Sequence, residues 1–349
     1  MTKMLAGVLD GPGKISEKEV EIEELKDREV LVKIDACGIC GSDLNIFKKD
    51  PPIPKFWGGH EISGHIVEKG SSATGPDVGK RVSVMPLIPC GECEECKAKL
   101  TNICSDFSFV GFNRPGGFAE FVAVPDTNVF ELPDDFDANI AVLVEPLACA
   151  FHSTGIAGSM KDKHVVVFGC GTIGLLTILL ARLEGAKSIT AIGRYIHQRD
   201  IAKRCGALNV FNSSSPTLTA DIEAILQKKF GERAEVVIET VGGFDATTIT
   251  DSIEILRPGS VIVLSGVHYE TPKMNLKNLT EKEIQVKGTQ RYNIADFKNA
   301  VELIKTHGVR VFDLNPLITH RVDLDEISRA YDIGLSKEIH RAIKVVIKP

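Results

Sequence analysis

The sequence lacks the excess of positive charge that binding to nucleic acid or to an anionic membrane would require. Its 349 residues include 41 Lys and Arg against 47 Asp and Glu, a formal net charge of −6. This balance gives no broad attraction to phosphate. Long uncharged apolar runs are also missing, as is a basic leader followed by an apolar core. We therefore predict a cytoplasmic protein that binds neither nucleic acid nor membrane.

The sequence also has no internal repeat, no low-complexity segment and no long flexible linker. Its length favours about two domains, at roughly 150 residues each. Apolar residues make up 43% and charged residues 25% of the chain, which is ordinary for a globular protein. A chain of this length buries a large core without disulfides.

Cysteine, by contrast, is abundant. The chain has nine cysteines, an odd number, and four of them cluster at C-x-x-C spacing. Together with the missing leader, this pattern favours thiolate metal sites over disulfides. One loop contains four of them: Cys90, Cys93, Cys96 and Cys104. Four thiolates saturate a tetrahedral zinc and close it to substrate, so we predict a structural zinc lobe at about residues 88–106. A zinc ribbon for nucleic acid is the alternative, which the three glutamates inside the loop disfavour.

A second candidate metal site combines two segments twenty residues apart. The run Ile39-Cys40-Gly41-Ser42-Asp43 offers a thiolate, a hydroxyl and a carboxylate, and Gly59-His60-Glu61 offers an imidazole and a carboxylate. A Cys, a His and one carboxylate leave zinc one position short of saturation, which is typical of catalytic zinc. Taken alone, the pentapeptide would more often be a small buried turn, so this prediction depends on the motifs that follow.

The chain changes character near residue 137. Before it, alternating apolar and polar residues predict half-buried strands at 30–36, 62–67, 81–84 and 119–124. After it, a helix start at 141–150 leads into predicted strands at 164–168, 188–192, 236–239 and 260–264. The helices predicted between and after them are at 173–183, 196–204, 218–229, 245–256, 295–306 and 325–336, before a last strand at 342–347. Apolar strands that alternate with helices predict an α/β fold with a parallel sheet.

The strongest cofactor signal follows the strand Val165-Val166-Val167-Phe168. It runs into Gly169-Cys170-Gly171-Thr172-Ile173-Gly174 and then into an apolar helix. A G-x-G-x-x-G turn in this context indicates dinucleotide binding, with the pyrophosphate at the helix N-terminus. The alternative is a glycine-rich turn that binds nothing.

The end of the next predicted strand indicates which nicotinamide cofactor is preferred. An NAD enzyme places Asp or Glu there to accept hydrogen bonds from the ribose hydroxyls, but this chain has Gly193-Arg194-Tyr195. Glycine leaves room for a 2′-phosphate, and Arg194 offers charge-assisted hydrogen bonds to it. We predict NADP(H) as the preferred cofactor, with NAD(H) as the alternative if Arg194 is only a solvated loop cation.

Taken together, these motifs resemble, in their order, the zinc-containing medium-chain alcohol and polyol dehydrogenases, over nearly the whole chain. The resemblance implies a GroES-like irregular β catalytic domain at residues 1–147 and 290–349. A doubly wound Rossmann domain would interrupt it at 148–289, with substrate, zinc and nicotinamide held in the cleft between the two domains. It also implies a homodimer or a homotetramer, with subunits pairing near 260–279.

By position, the resemblance makes Cys40 and His60 catalytic zinc ligands. Glu145, in Val144-Glu145-Pro146, and Glu61 are the two candidates for the third ligand, and we expect only one of them close to zinc in a given state. Asp43 corresponds to the residue that orients the zinc-bound His. Ser42 corresponds to the hydroxyl that relays the substrate proton, but Asn45 stands where many members have a His, so the relay must end differently.

Further site residues follow from the same resemblance. Ser265-Gly266-Val267 matches the segment that contacts the nicotinamide carboxamide, and Lys344 matches a cation near the pyrophosphate. Arg291-Tyr292 matches a pair in the substrate cleft of sorbitol dehydrogenases. The segment 106–132 is most similar to galactitol-1-phosphate dehydrogenases, which leaves a phosphorylated polyol open.

We therefore expect two zinc ions per chain, one catalytic and one structural, and oxidation of a secondary alcohol to its ketone. A polyol or sugar alcohol is the expected substrate, with its ketose as product; a polyol phosphate, a simple secondary alcohol and a threonine-like substrate are alternatives. Two other classes stay open: a zinc-free reductase of the quinone-reductase type and a non-catalytic zinc-stabilised binding protein. The complete Cys40, His60 and Glu145 set disfavours the first of these.

Overall fold

The computed structural model describes residues 3–48, 57–243, 247–269, 271, 274–311 and 313–349, and only the backbone of residues 307–311. The chain forms two compact units. The first consists of Met1–Ala148 together with Asn293–Pro349, and the second of Cys149–Tyr292. The second unit is therefore an insertion in the sequence of the first.

The N-terminal part of the chain is rich in strands. They are β1 Lys3–Gly11, β2 Lys14–Glu21, β3 Glu29–Gly38, β4 Glu61–Lys69, β5 Arg81–Val84, β6 Leu87–Ile88, β7 Ser108–Phe109, β8 Phe121–Pro125 and β9 Val129–Glu131. The helices are α1 Gly41–Phe47, α2 Glu94–Lys97, α3 Ala138–Ala141 and α4 Val144–Ala157. Long connections separate β4 from β5, β6 from β7 and β7 from β8, as the Gly and Pro punctuation of the sequence predicts.

The second unit contains the parallel sheet. Its strands are β10 His164–Phe168, β11 Ser188–Gly193, β12 Asn209–Asn212, β13 Ala234–Glu239, β14 Leu256–Leu264 and β15 Gln285–Gly288. Its helices are α5 Thr172–Leu183, α6 Ile196–Cys205, α7 Leu218–Phe230, α8 Thr247–Ile255 and α9 Leu276–Glu281. The order β12-β11-β10-β13-β14-β15 is the 3-2-1-4-5-6 order of a doubly wound dinucleotide-binding sheet, so the fold prediction is confirmed.

Two strands of this sheet, β12 and β15, were not predicted. Both are only four residues long, and β15 lies at the sheet edge with most of its residues exposed, so neither shows the apolar run of a buried strand. The predicted helix 245–256 corresponds to α8; its first two residues lie outside the described residues.

The C-terminal part of the chain returns to the first unit with α10 Ile294–Val311, β16 Ile318–Asp323, α11 Ile327–Leu335, α12 Lys337–His340 and β17 Lys344–Lys348. A mixed sheet runs β16-β17-β3-β4-β5-β9, with β8 also paired to β3. Gly38 of β3 pairs with Glu61 of β4 and with Val346 of β17. This register brings the segments around residues 40, 60 and 344 to one end of the sheet.

Among the residues that the structure describes, one helical stretch, Ala138–Ala157, is apolar and long enough to cross a membrane by length and composition. Of its window, 72% is buried inside the protein, as expected for a core helix.

Candidate zinc and dinucleotide sites

Asp43 connects the two segments of the candidate catalytic zinc site. Its side chain is buried, and Oδ2 accepts a hydrogen bond from the Cys40 amide at 2.8 Å. Oδ1 accepts a longer one from the Gly59 amide at 3.4 Å and lies 3.6 Å from His60 Nδ1. A single carboxylate thereby fixes Cys40 at the start of α1 and faces the imidazole from the other segment, leaving the second ring nitrogen for a metal.

The donor atoms of Cys40, His60 and Glu61 all lie within 4.8 Å of one another. His60 and Glu61 are buried, and Cys40 is half-buried. A thiolate, an imidazole and a carboxylate from separate segments are a donor set that zinc accepts while keeping one position open. The residues present therefore fit a catalytic zinc ion.

The electrostatics of His60 also fit a cation at this position. Burial alone lowers the pKa of His60, but the charge of Asp43, followed by that of Cys40, outweighs burial and raises the pKa well above its ordinary value. An imidazole that faces the Asp43 carboxylate favours positive charge, which a metal ion would supply.

Glu61 is held by an ammonium from the other end of the chain. Lys344 Nζ lies 2.5 Å and 2.6 Å from the two Glu61 oxygens and donates to the Ile39 carbonyl at 3.0 Å. Both side chains are 3% exposed or less. Gly38 makes room for this pair, because a Cβ there would overlap Glu61 Oε2. Glu61 can act as a zinc ligand only in competition with Lys344.

The position of Lys344 differs from the prediction of a cation near the cofactor pyrophosphate. Its ammonium is buried and committed to Glu61 and Ile39, and it therefore belongs to the zinc site. Burial lowers the pKa of Lys344, but the charges of Glu61, Cys40 and Glu145 outweigh burial and raise it. Glu145, buried in the first turn of α4, is thus close enough to this ammonium to act on it electrostatically.

The predicted proton-relay and substrate residues differ in how exposed they are. Ser42 is exposed in the first turn of α1, two residues after Cys40, and Asn45 is exposed on the same helix. Arg291 is half-buried and has a left-handed backbone (φ 52°). Tyr292 has no exposed surface, so its position favours a packing role over the predicted contact with substrate.

The four cysteines of the other predicted zinc site converge. The Sγ atoms of Cys90 and Cys104, Cys93 and Cys104, and Cys90 and Cys96 are separated by 3.5, 3.7 and 4.0 Å. A tetrahedral zinc with Zn–S bonds of about 2.3 Å sets its sulfurs about 3.8 Å apart. A hydrogen bond from the Cys96 amide lowers the pKa of Cys93 to about 7, which favours the thiolate that zinc binds. These residues fit a closed structural zinc site.

The glycine turn has the geometry of a pyrophosphate cradle. Gly169 has φ 100°, and a Cβ at Gly174 would overlap the Gly169 carbonyl, so both positions require glycine. At Gly171 no described heavy atom lies within 4 Å of where a Cβ would stand. Thr172 and Ile173 then begin α5 directly after Gly171, and no side chain caps this helix N-terminus. The turn fits a dinucleotide.

The predicted specificity segment lies at the end of β11. Gly193 is buried, while Arg194 is exposed, with its guanidinium carbon 5.6 Å from the centre of the Tyr195 ring. Tyr195 in turn stacks on His197 at 5.7 Å. The Arg194 guanidinium therefore lies over the Tyr195 ring at the carboxyl end of the sheet.

The predicted nicotinamide segment 265–267 is held by the Glu239 carbonyl, which accepts hydrogen bonds from the amides of Ser265 (2.8 Å) and Gly266 (3.0 Å). The sequence analysis missed Glu239 and its partner His268. Glu239, with no exposed surface, accepts hydrogen bonds from the amides of Val241 (2.9 Å) and Gly242 (3.2 Å), and its other oxygen lies 3.0 Å from His268 Nε2. Ser265 and Gly266 are half-buried and Val267 is exposed. The signal available in the sequence was the carboxylate of Glu239, which ends β13 directly after the apolar run Val236-Val237-Ile238.

A doubly wound dinucleotide sheet in one unit and zinc donors in the other define the class of zinc- and nicotinamide-dependent oxidoreductases. Residues 26–134 match the family model of the alcohol dehydrogenase GroES-like domain, and residues 172–306 match that of the zinc-binding dehydrogenase domain. The chain belongs to the zinc-containing medium-chain alcohol and polyol dehydrogenase family.

Curated relatives and solved structures agree. The chain is 33% identical to galactitol 1-phosphate 5-dehydrogenase of Escherichia coli K12 over 94% of this chain and 95% of that protein. It is 32% identical to "Probable D-xylulose reductase A" of Aspergillus clavatus, over 94% and 92%. A Sinorhizobium meliloti 1021 protein described as a zinc-binding dehydrogenase and solved bound to NADP superposes with a TM-score of 0.92, at 32% identity and full coverage of both chains.

Proposed function

We propose that this protein is a zinc-dependent, NADP(H)-preferring dehydrogenase that interconverts a secondary alcohol and its ketone. The convergence of the Cys40, His60 and Glu61 donor atoms within 4.8 Å carries the proposal. The compact units support residues 1–147 with 290–349 as the catalytic domain and 148–289 as the cofactor domain.

Cys40 and His60 would hold the catalytic zinc, with Glu61 or Glu145 as third ligand, and Cys90, Cys93, Cys96 and Cys104 the structural one. Bound zinc supplies a Lewis acid that lowers the pKa of the substrate hydroxyl, and the nicotinamide supplies hydride chemistry. Asp43 holds the His60 ring in its orientation. Ser42 Oγ, exposed beside Cys40, would accept the hydroxyl proton and pass it to water, because Asn45 cannot take it up.

The third ligand depends on Lys344. While both Glu61 oxygens contact the ammonium, Glu145 is the alternative ligand for the metal; when Lys344 releases Glu61, Glu61 becomes the ligand. Zinc affinity of Glu61→Gln and Glu145→Gln variants, measured by competition with a chelator dye, tests this exchange. Loss of affinity in one variant alone would assign the ligand to that residue and contradict an exchange.

The NADP(H) preference is supported by Gly193 and Arg194, and by the relative solved bound to NADP. Its cofactor contacts would come from Gly169 to Gly174, from 193–195 and from 265–267. An NADPH-fluorescence titration against an NADH one tests it directly.

A polyol or sugar alcohol is the substrate class that the relatives' names support. The galactitol 1-phosphate relative makes a polyol phosphate the second candidate. Arg291 is the residue that would distinguish them, since a guanidinium favours phosphate. A cytoplasmic location and a homodimer or homotetramer remain our predictions.

A panel of polyols, ketoses and their phosphates, each assayed with both cofactors, tests the proposed reaction. We expect cofactor reduction with at least one polyol or polyol phosphate, and loss of that signal in His60→Ala. If His60→Ala were fully active, the dehydrogenase proposal would be wrong.

A further inference from the structure

Steric crowding explains why position 193 is a glycine. It ends strand β11 in ordinary extended backbone, so its conformation would accept any residue. A Cβ at this position, however, would lie 2.8 Å from Cys170 Sγ, 3.0 Å from Cys170 Cβ and 3.1 Å from Arg199 Cγ. Contacts below 3.0 Å force the neighbour to move. An aspartate that reads the ribose 2′-hydroxyl therefore fits here only if the buried Cys170 sulfur moves.

The sulfur that fills this space is a packing group. Cys170 is 1% exposed, and burial raises the pKa of its thiol to about 12. It follows Gly169 in the glycine turn, just after the end of β10, which is the strand next to β11 in the sheet. Cys170, the residue between the first two glycines of the turn, thus lies beside Gly193, the position at which an NAD enzyme has its acidic residue.

Arg199 covers the same position from helix α6. Its Nη1 atom donates to the Gly193 carbonyl at 2.9 Å and to the Arg194 carbonyl at 2.7 Å. One charged donor shared by two successive carbonyls fixes the backbone from which the Arg194 side chain extends. The adjacent Asp200 lies 3.7 Å from Lys203, so it has a cation of its own on the helix surface.

We propose that Cys170 and Arg199 set the cofactor specificity of this enzyme together with Arg194. Cys170 excludes the carboxylate that NAD(H) needs at position 193. Arg199 is a positioning residue that holds Arg194 toward the 2′-phosphate and adds a second positive charge beside it. The inference rests on the proposed NADP(H) preference and adds the two residues that enforce it.

Binding of NADPH and of NADH to the full-length, zinc-loaded protein tests the role of Arg199. We expect Arg199→Leu to lower the ratio of NADPH to NADH affinity by about tenfold, the effect of one charge-assisted hydrogen bond, with NADH binding nearly unchanged. Arg199→Lys should restore most of the ratio. Arg204→Leu removes an exposed arginine from the same helix and should leave the ratio unchanged. A merely structural role would weaken both cofactors equally and would overturn the proposal.

A second pair of variants tests Cys170. Gly193→Asp alone should weaken NADPH binding without gain for NADH, because the added atoms meet the sulfur. Cys170→Ala with Gly193→Asp should bind NADH about tenfold more tightly than Gly193→Asp does, since the sulfur is gone. Equal NADH affinity in both variants would refute the steric role. Wild-type protein that bound neither cofactor would instead overturn the proposed function itself, and the inference with it.

Discussion

Replacement of Lys344 by Met should destabilise the first unit strongly. The ammonium and Glu61 form an ion pair in which both side chains are nearly inaccessible. Loss of one partner leaves a buried carboxylate without its counter-charge, which costs about 3–5 kcal/mol. In a unit of about this size 1 kcal/mol corresponds to about 2–4 °C, so the melting temperature should fall by roughly 6–20 °C.

The loss should depend on zinc. In the zinc-loaded protein the metal can take over as the counter-charge of Glu61, so the decrease should be smaller than in the chelated protein. Differential scanning calorimetry with and without a chelator measures both values. Lys348→Met, the same change at an exposed position of the same strand β17, serves as the control.

A double variant separates the charge from the packing. Glu61→Gln removes the carboxylate, so Lys344→Met should be better tolerated in that background, with a coupling of at least about 1 kcal/mol. If Lys344→Met were no more harmful than Lys348→Met in the chelated protein, the buried pair would have no role in stability, and our reading of the site would fail.

Three further changes have defined outcomes. Cys93→Ser should release about one zinc per chain, measured by atomic emission, and expose the 88–106 lobe to proteolysis. Glu239→Gln should weaken binding of both nicotinamide cofactors alike in a fluorescence titration, because it loosens the segments that Glu239 holds; a selective effect would contradict this. Burial raises the pKa of Asp126, but hydrogen bonds from Thr74 and the charge of Arg28 outweigh it, and the net pKa lies below 3.8. Asp126→Asn should therefore lower stability in urea at pH 7, and the difference from wild type should vanish as the pH falls below 3.8 through the folded-state pKa.

The clustering of the candidate zinc donors could be predicted from the sequence because their chemistry is local. Four cysteines within fifteen residues leave few alternatives to a metal site. Cys40 and His60 each lie in a short recognisable motif. The parallel sheet could be predicted since its central strands are continuous apolar runs such as Val165 to Phe168. The short edge strand β15 has no such run, and its pairing with β14 is what makes it a strand.

Contacts that depend on register could not be predicted. Lys344 and Glu61 are 283 positions apart, and they meet because β17 pairs with β3 and β3 with β4. Cys170 reaches Gly193 because two parallel strands end side by side. Neither pair has a sequence pattern that marks it.

The zinc content of purified protein, measured together with turnover, tests the central claim most directly. The wild-type chain should contain about two zinc ions. Cys40→Ser should retain one, bind NADPH with unchanged affinity and show no hydride transfer to or from any substrate that the wild type accepts. A Cys40→Ser protein that kept both ions and full turnover would contradict the account.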